Sequence, residues 1–178
     1  MVKTDIVLRA PEPGDIDILY QWENDGEIWK VSNTITPFSK YILEKYIENA
    51  HLDIYQVKQL RLMIDVRLGN DAPRTVGAVD LFDFDPHNLR AGVGILIGNK
   101  TDRHKGYATL ALKKIIAYGF EILQLHQLFC NITADNFESL KLFEKCGFKI
   151  TGSKIDWIRA PGTYVDEHML QLINNIHI

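Results

Sequence analysis

The chain has 178 residues, 46% of them hydrophobic, and a formal net charge of −3. This length is enough to bury one sizeable hydrophobic core, so a single domain over residues 1–178 is predicted. The slightly negative charge leaves no excess of basic residues to neutralise a phosphate backbone, which argues against nucleic acid as a partner.

The first part of the chain predicts one strand followed by two helices. The strand covers about 5–10 and is stopped by a stretch rich in proline and glycine. The first helix is capped by Asp15 and ends near 24–26. The second begins at Ser39 as N-cap, and its apolar stripe is predicted to run from Ile42 to Ile54.

The remaining elements follow from changes in hydrophobic period. Alternating residues predict strands over 60–68 and 75–83, and a third over 90–97 that is apolar on both faces and therefore central. An amphipathic helix follows from Ala108 to Leu123, and then a strand at 127–132. A helix at about 136–146 and strands at 149–158 and 163–173 complete the chain.

The cysteines and histidines give no sign of a metal site. Cys130 and Cys146 lack metal-ligand spacing and are predicted to be reduced core thiols. His51, His104 and His126 have no such spacing either, so no metal is predicted. The N-terminus carries no apolar signal core, and no apolar run reaches the roughly 20 residues of a membrane span. We therefore expect a soluble, cytoplasmic protein with no membrane partner.

The loop between the predicted central strand and the long helix is suited to phosphate. It runs from Arg103 to Ala108 and reads RHKGYA. The first amide groups of a helix have no intrahelical partner and lie at the positive end of its dipole, so they bind anions. Gly106 would let the backbone approach a diphosphate, and Arg103 and Lys105 add positive charge. The same six residues also fit an ordinary helix start.

Two motifs in this order carry a resemblance to a known family. The loop matches Arg/Gln-x-x-Gly-x-Gly/Ala, and the segment from Asn136 to Phe148 matches Asn-x-x-Ser/Ala-x-x-x-Tyr/Phe-x-x-x-Gly-Phe. On these motifs the chain resembles the GNAT superfamily of acyl-CoA N-acyltransferases. Its opening, Leu8 to Pro11 followed by Asp15, resembles the branch that includes spermidine and ribosomal-protein N-terminal acetyltransferases.

The resemblance implies a fold and an activity. The fold is α/β (α+β), GNAT-like, with a central, mixed but mostly antiparallel sheet of six to seven strands flanked by about four helices. The activity is that of an acetyltransferase that moves an acetyl group from acetyl-CoA, as co-substrate, to a primary amine of a small molecule or a protein N-terminus. The pantetheine arm is expected between two splayed central strands. The implied cofactor-binding residues are Ile95, Leu96, Ile97, Arg103, His104, Lys105, Gly106, Tyr107, Ala108, Asn136, Ser139 and Phe143.

The implied catalytic residues depart from the family pattern at one position. Many relatives supply the acid as a tyrosine in the late helix, but Phe143 occupies that position and cannot donate a proton. Ser139 matches the residue that some ribosomal-protein acetyltransferases use instead, and it also fits a polar residue of a first helical turn. For the base, Asp156 matches a glutamate near the acceptor in relatives, and Asp80 is the second candidate. Both also fit solvated or ion-paired strand residues.

The acceptor is expected beside the first two helices. Four aromatic residues there fit either a pocket wall or the core: Trp22, Trp29, Phe38 and Tyr41. Relatives that acetylate polyamines carry a glutamate where this chain has Gly92, and 33–36 is neutral where acidic residues would help. Asp25 and Glu27 remain candidates for holding a cationic amine.

Three other interpretations are possible beside the main one, and one of them is excluded by the sequence. A polyamine N-acetyltransferase is the alternative enzyme, and a non-catalytic acyl-CoA-binding sensor is the alternative of another class, supported by Phe143. A dinucleotide-binding protein is excluded because no Gly-x-Gly-x-x-Gly follows the first strand. A homodimer, in which the apolar C-terminal strand pairs with a second copy, is left open.

Overall fold

A computed structural model describes residues 4–30, 32, 34–69 and 71–175. In these ranges seven strands form one mixed sheet in the order β1-β2-β3-β4-β5-β7-β6. The strands are β1 Thr4–Arg9, β2 Leu60–Leu68, β3 Arg74–Asp85, β4 Arg90–Ile97, β5 Gln127–Thr133, β6 Lys149–Ala160 and β7 Thr163–Ile173. The mixed, mostly antiparallel sheet confirms the predicted fold class.

Six α-helices lie in the described part of the chain, more than the four or so predicted. They are α1 Ile16–Glu23, α2 Gly26–Trp29, α3 Lys40–Glu48, α4 Ile54–Val57, α5 Tyr107–Ala117 and α6 Phe137–Lys145. The two additional ones, α2 and α4, have four residues each, too short to give a periodic pattern in the sequence. None of the helices in the described ranges is long and apolar enough to cross a bilayer.

One end of α3 differs from the prediction. Ser39 is the N-cap, as predicted, and its Oγ accepts a hydrogen bond from the Ile42 N–H at 3.2 Å. The helix stops at Glu48, however, and Ile54 begins the separate helix α4, which Asp53 caps. The apolar stripe predicted from Ile42 to Ile54 was therefore wrong, because two short helices with their own caps replace one long helix.

Helices cover both faces of the sheet, so it separates two hydrophobic cores. The larger core lies under α5 and includes Ile64 and Val66 of β2. The smaller core lies under α1, α2 and α3 and includes Met63 of the same strand. The alternation of β2 predicted one buried face, but Met63 and Ile64 are both 0% exposed because each face has its own helices.

The central strands position the site. Strand β4 is central, as predicted, and pairs antiparallel with β3 from Arg90 to Ile97, with one irregularity between Arg90 and Gly92. Its other neighbour, β5, runs parallel and pairs only from Arg90 opposite Gln127 to Gly92 opposite Phe129. From Val93 onward β4 and β5 separate. This divergence, which we call the fork, leaves the backbone edge of β4 from Val93 to Ile97 without a strand partner on the β5 side.

The C-terminal strand lies inside the sheet. Over Glu167–Gln171, β7 pairs with β5 on one side and with β6 on the other. A strand with both edges paired has no backbone groups left to join a second copy. The interpretation that β7 could pair across a homodimer is therefore wrong, and the outer strands of the described sheet are β1 and β6.

The packing of α5 onto the sheet leads to a stability prediction. Leu112 is 0% exposed in the larger core, whereas Leu110 on the same helix is 40% exposed. We expect Leu112→Ala to lower the free energy of unfolding by roughly 2–5 kcal/mol, because it leaves a cavity where a side chain was fully packed. Leu110→Ala, the matched control, should cost less than about 1 kcal/mol. Urea denaturation of both variants measures the difference, and similar losses would contradict the assigned packing.

Candidate active site

A cleft of about 530 Å³ opens where β4 and β5 separate. The end of β4 and the loop before α5 form one wall, and the first turns of α6 form the other. The residues that line the cleft are Ile95, Leu96, Ile97, Asp102, Arg103, His104, Gly106, Tyr107, Ala108, Thr109, Asn136, Glu138, Ser139, Lys141 and Leu142. The structure thus brings together all the predicted cofactor-binding residues except Lys105 and Phe143.

The start of α5 has the geometry of an anion site. Gly106 is its N-cap residue, with φ of +83°, and no side chain caps this helix. The amide groups of the first turn therefore lack both intrahelical and side-chain partners, and the helix dipole adds partial positive charge. A Cβ atom on Gly106 would meet no heavy atom within 4 Å, so the space above the loop is open. A diphosphate fits these features.

A buried carboxylate holds this loop in place. Asp102 is only 3% exposed, and its Oδ2 accepts a hydrogen bond from Arg74 Nη1 at 2.8 Å. This bond with Arg74 is the main cause that lowers the pKa of Asp102. Lys105 also turns toward Asp102, with Nζ 3.3 Å from Oδ1. Lys105 is therefore part of the loop's support and does not line the cleft, contrary to its predicted contact with the cofactor.

Arg103 connects the loop to the end of β4. Its Nε donates a hydrogen bond to the carbonyl oxygen of Ile97 at 3.3 Å. Its two Nη groups make no hydrogen bond to any other residue that the structure describes. Arg103 can therefore direct positive charge into the cleft while its side chain stays anchored to the strand.

The first turn of α6 places Ser139 on the opposite wall. Asn136 is the N-cap residue, and its Oδ1 accepts a hydrogen bond from the Ser139 N–H at 3.2 Å. Ser139 is partly buried and lines the cleft. Its hydroxyl makes no hydrogen bond within the described residues. It is available to a ligand, as an acid candidate requires.

Phe143 lies in the core, not on the cleft wall. It is 3% exposed, and its ring meets that of Phe148 edge to face, with the centroids 5.0 Å apart. The residue lies one turn beyond Ser139, where α6 packs on the larger core. The prediction that Phe143 contacts the cofactor is therefore not supported, because the ring is used for packing.

Asp80 is engaged in an ion pair. Its Oδ1 accepts from Arg61 Nε at 2.7 Å, and its Oδ2 accepts from Arg61 Nη2 at 3.2 Å. Arg61 also pairs with Glu23 of α1. Both carboxylate oxygens of Asp80 therefore bind a permanent cation, and Asp80 does not line the cleft. The alternative of an ion-paired strand residue describes Asp80 better than the role of base.

Asp156 is exposed, as the alternative of a solvated strand residue requires. It lies on the outer strand β6, at an irregularity in the pairing with β7 and with φ of +49°. The flanking Ile155 and Trp157 are 68% and 58% exposed, so they do not bury it. The backbone N–H of Asp156 donates to Asp166 Oδ1 at 2.9 Å, and its own carboxylate is exposed but does not line the cleft.

The aromatic residues predicted for the acceptor pocket are dispersed. Trp22 is 4% exposed in the smaller core, where its indole lies against Gly98: a Cβ there would be 2.0 Å from Nε1. Trp29 donates from Nε1 to the carbonyl oxygen of Glu23 at 2.6 Å, and Tyr41 is 62% exposed. Of the two alternatives, the core describes Trp22, and these residues do not form a common wall. Phe38 is partly buried and packs against the smaller core.

Both acidic residues considered for a cationic amine have local partners. The Asp25 side chain caps α2 by accepting from the Glu27 N–H at 2.8 Å. Glu27 is paired with Lys30, and this pair lowers the pKa of Glu27. Neither residue lines the cleft. The structure therefore adds no support for these two as a polyamine site.

The vertex of the fork carries an aromatic pair that sequence reasoning missed. Ala91 and Val93 face the larger core, so Gly92 and Gly94 face the other side of the sheet. The ring of Phe82 covers both glycines: a Cβ on Gly92 would be 2.3 Å from Cε2. Phe82 also meets Phe129 edge to face at 6.1 Å. Glycines alternating in a strand signal such close approach and could have identified this site.

Further cleft residues also escaped the sequence motifs. Glu138, Lys141 and Leu142 lie on α6; helical spacing from Ser139 could have found Leu142, which lies three residues later, but not Glu138 or Lys141. Asp102 and Thr109 could not be singled out, because their positions depend on the path of the loop. Among the described residues, no group of three or more His, Cys, Asp or Glu side chains has the arrangement of a metal site.

Comparison with known proteins identifies the family. Residues 5–149 match the model of the acetyltransferase (GNAT) domain. The chain belongs to this family. It is an N-acetyltransferase, and acetyl-CoA is its acetyl donor.

Two relatives and one crystal structure show how similar known proteins are to this chain. The chain is 30% identical to N-acetyltransferase p20 of Bacillus licheniformis, itself uncharacterized, over 94% of this chain and 92% of that protein. It is 22% identical to spermidine N(1)-acetyltransferase of Vibrio cholerae over 99% and 98% of the two chains. A crystal structure of spermidine N-acetyltransferase from Vibrio cholerae, in complex with CoA and spermine, superposes with a TM-score of 0.78. The superposition covers 94% of this chain and 95% of that chain at 24% identity, so it shows that the two folds are similar.

Proposed function

We propose that acetyl-CoA binds in the cleft with its diphosphate at the start of α5 and its pantetheine arm along the free edge of β4. The observation that carries this proposal is the fork: pairing between β4 and β5 stops at Gly92 and Phe129, and the cleft opens directly beyond it. Unpaired backbone groups of a strand edge bind an extended ligand as a further strand would. The acetyl group then lies near the vertex, and the amine approaches from the side of Phe82.

Ser139 is proposed as the acid. When the amine attacks the thioester carbonyl, the carbon–sulfur bond breaks and the departing thiolate requires a proton. The Ser139 hydroxyl lines the cleft on the wall opposite the loop. Its cap bond to Asn136 uses the backbone N–H only, so the hydroxyl keeps its proton available. Backbone amides are proposed to stabilise the oxyanion.

Asp156 is proposed as the base in preference to Asp80, because its carboxylate is accessible while Asp80 is bound to Arg61. We expect Asp156→Asn to lower kcat by roughly 100-fold and to remove the acidic limb of the pH–rate profile, without weakening acetyl-CoA binding. Asp80→Asn is the comparison: it breaks an ion pair, so its main effect should be a lower melting temperature. An unchanged pH–rate profile in Asp156→Asn would overturn the assignment.

The proposed acceptor is a primary amine of a small molecule or a protein N-terminus. The aromatic pair Phe82–Phe129 at the vertex favours an amine carried on an apolar group. A polyamine is the second candidate, supported by the relatives named spermidine N-acetyltransferase. Asp25 and Glu27, which have local partners, add nothing to that support. The cytoplasmic location remains a prediction from the sequence, and a homodimer, if formed, would use a surface other than the edge of β7.

A panel of amines separates these possibilities. Thiol release from acetyl-CoA would be measured with peptides that have free N-termini, with aromatic and aliphatic monoamines, and with spermidine. Acceleration by peptides or monoamines supports the main proposal, and acceleration by spermidine alone supports the polyamine alternative. A chain that binds acetyl-CoA but releases thiol at one slow rate with every amine would instead be the sensor.

A further inference from the structure

The charged residues of the cleft fall into two groups. Asp102 is neutralised by Arg74 and Lys105 behind the loop. His104 and Glu138 face each other across the cleft, with Nε2 and Oε1 3.5 Å apart. The remaining charges that line the cleft are both positive: Arg103 on the loop wall and Lys141 on the wall formed by α6.

Lys141 has no partner of its own within the described residues. Its side chain lines the cleft and is exposed, and its ammonium group makes neither a hydrogen bond nor an ion pair there. Lys145, one turn later on the same helix, is different: it does not line the cleft, and its charge acts on the thiol of Cys146. The cleft therefore contains one cation on α6 that the protein itself does not use.

Lys141 lies near a contact that spans the cleft, the one between His104 and Glu138. This contact links the loop before α5 to the first turn of α6, so side chains from the two walls meet across the opening. Lys141 lies three residues after Glu138 and shares its face of the helix. Lys141 and Ser139 both line the cleft, and Lys141 is the more exposed of the two.

Acetyl-CoA has one phosphate group that the start of α5 does not satisfy. In the proposed placement, the diphosphate accepts hydrogen bonds from the amide groups of the loop and lies near the positive charge of Arg103. The 3′-phosphate sits on the ribose, outward of the diphosphate, and carries close to two negative charges with no amide cluster to bind it. A lysine is a compact point charge suited to such a phosphate. We infer that Lys141 binds the 3′-phosphate of coenzyme A and makes the enzyme discriminate against 3′-dephospho-coenzyme A. This inference rests on the proposed placement of acetyl-CoA.

The test measures the affinity of two ligands for three proteins by calorimetric titration. The ligands are coenzyme A and 3′-dephospho-coenzyme A, which differ only in the 3′-phosphate. The proteins are the parent chain, Lys141→Gln and the matched control Lys145→Gln. Lys141→Gln should weaken coenzyme A binding by roughly five- to tenfold, as for a partly solvated charged hydrogen bond, and change 3′-dephospho-coenzyme A binding by less than about twofold.

Each other outcome has a definite meaning. Lys145→Gln should leave both affinities unchanged, and Lys141→Arg should keep most of the discrimination, since the charge remains. Equal weakening of both ligands in Lys141→Gln would assign the lysine to the diphosphate and would overturn the inference. Unchanged binding of both ligands would also overturn it. If the parent chain bound neither ligand, the proposed placement of acetyl-CoA would itself fail, a result distinct from the other two.

Discussion

Replacing Gly106 with valine is expected to weaken acetyl-CoA binding by at least roughly 100-fold. A β-branched residue at φ of +83° is strained by on the order of 1–3 kcal/mol, so the loop would leave its present conformation. The added side chain would also occupy the open space above the amide groups where the diphosphate is expected. Titration calorimetry with acetyl-CoA measures the loss.

Gly162 offers a matched control for strain. It has φ of +75° in the turn between β6 and β7, and a Cβ there would also meet no heavy atom within 4 Å. Gly162→Val therefore introduces a similar backbone cost away from the cleft, and it should lower the melting temperature without changing acetyl-CoA affinity. Equal affinities in the two variants would mean that Gly106 is only a structural turn residue.

The second large effect is expected at Ser139. Ser139→Ala should reduce kcat by roughly 100-fold, because the departing thiolate loses its proton donor. The affinity for acetyl-CoA should change by less than about twofold, and the melting temperature should stay the same, since the cap bond to Asn136 uses the backbone N–H. Steady-state rates and a binding titration on the same preparation separate these quantities.

Ser153→Ala is the control for the loss of a serine hydroxyl. Ser153 lies on the exposed strand β6, where its hydroxyl is 2.8 Å from His168 Nδ1. Its substitution should leave kcat unchanged. Full turnover by Ser139→Ala would remove the serine from the mechanism, and the acid would then have to be sought among solvent molecules or groups of the acceptor.

Local sequence patterns predicted the frame of the site well. The loop from Arg103 to Ala108 could be located because it lies between a strand that is apolar on both faces and a long amphipathic helix. Asn136 could be placed at the start of α6 because it is a capping residue before an apolar periodic segment. These features depend on neighbours in sequence, which is why they could be read without a structure.

Other features depend on contacts between distant segments and could not be predicted. Arg74 of β3 pairs with Asp102, 28 residues later in the chain, and this same carboxylate is the partner of Lys105. Phe143 belongs to the larger core, which residues of distant strands such as β2 complete. The pairing of Asp80 with Arg61 requires the register between β2 and β3.

The most direct test of acetyl-CoA binding in the fork is a thermal-shift titration with acetyl-CoA, free coenzyme A and NAD. A ligand that binds only the folded state stabilises it by mass action, and at 100 times Kd the melting temperature of a chain this size should rise by roughly 5–10 °C. We predict such a rise with both coenzyme A species and none with NAD. No rise with any of the three ligands would contradict the phosphate-binding role of the loop and the placement of acetyl-CoA in the cleft.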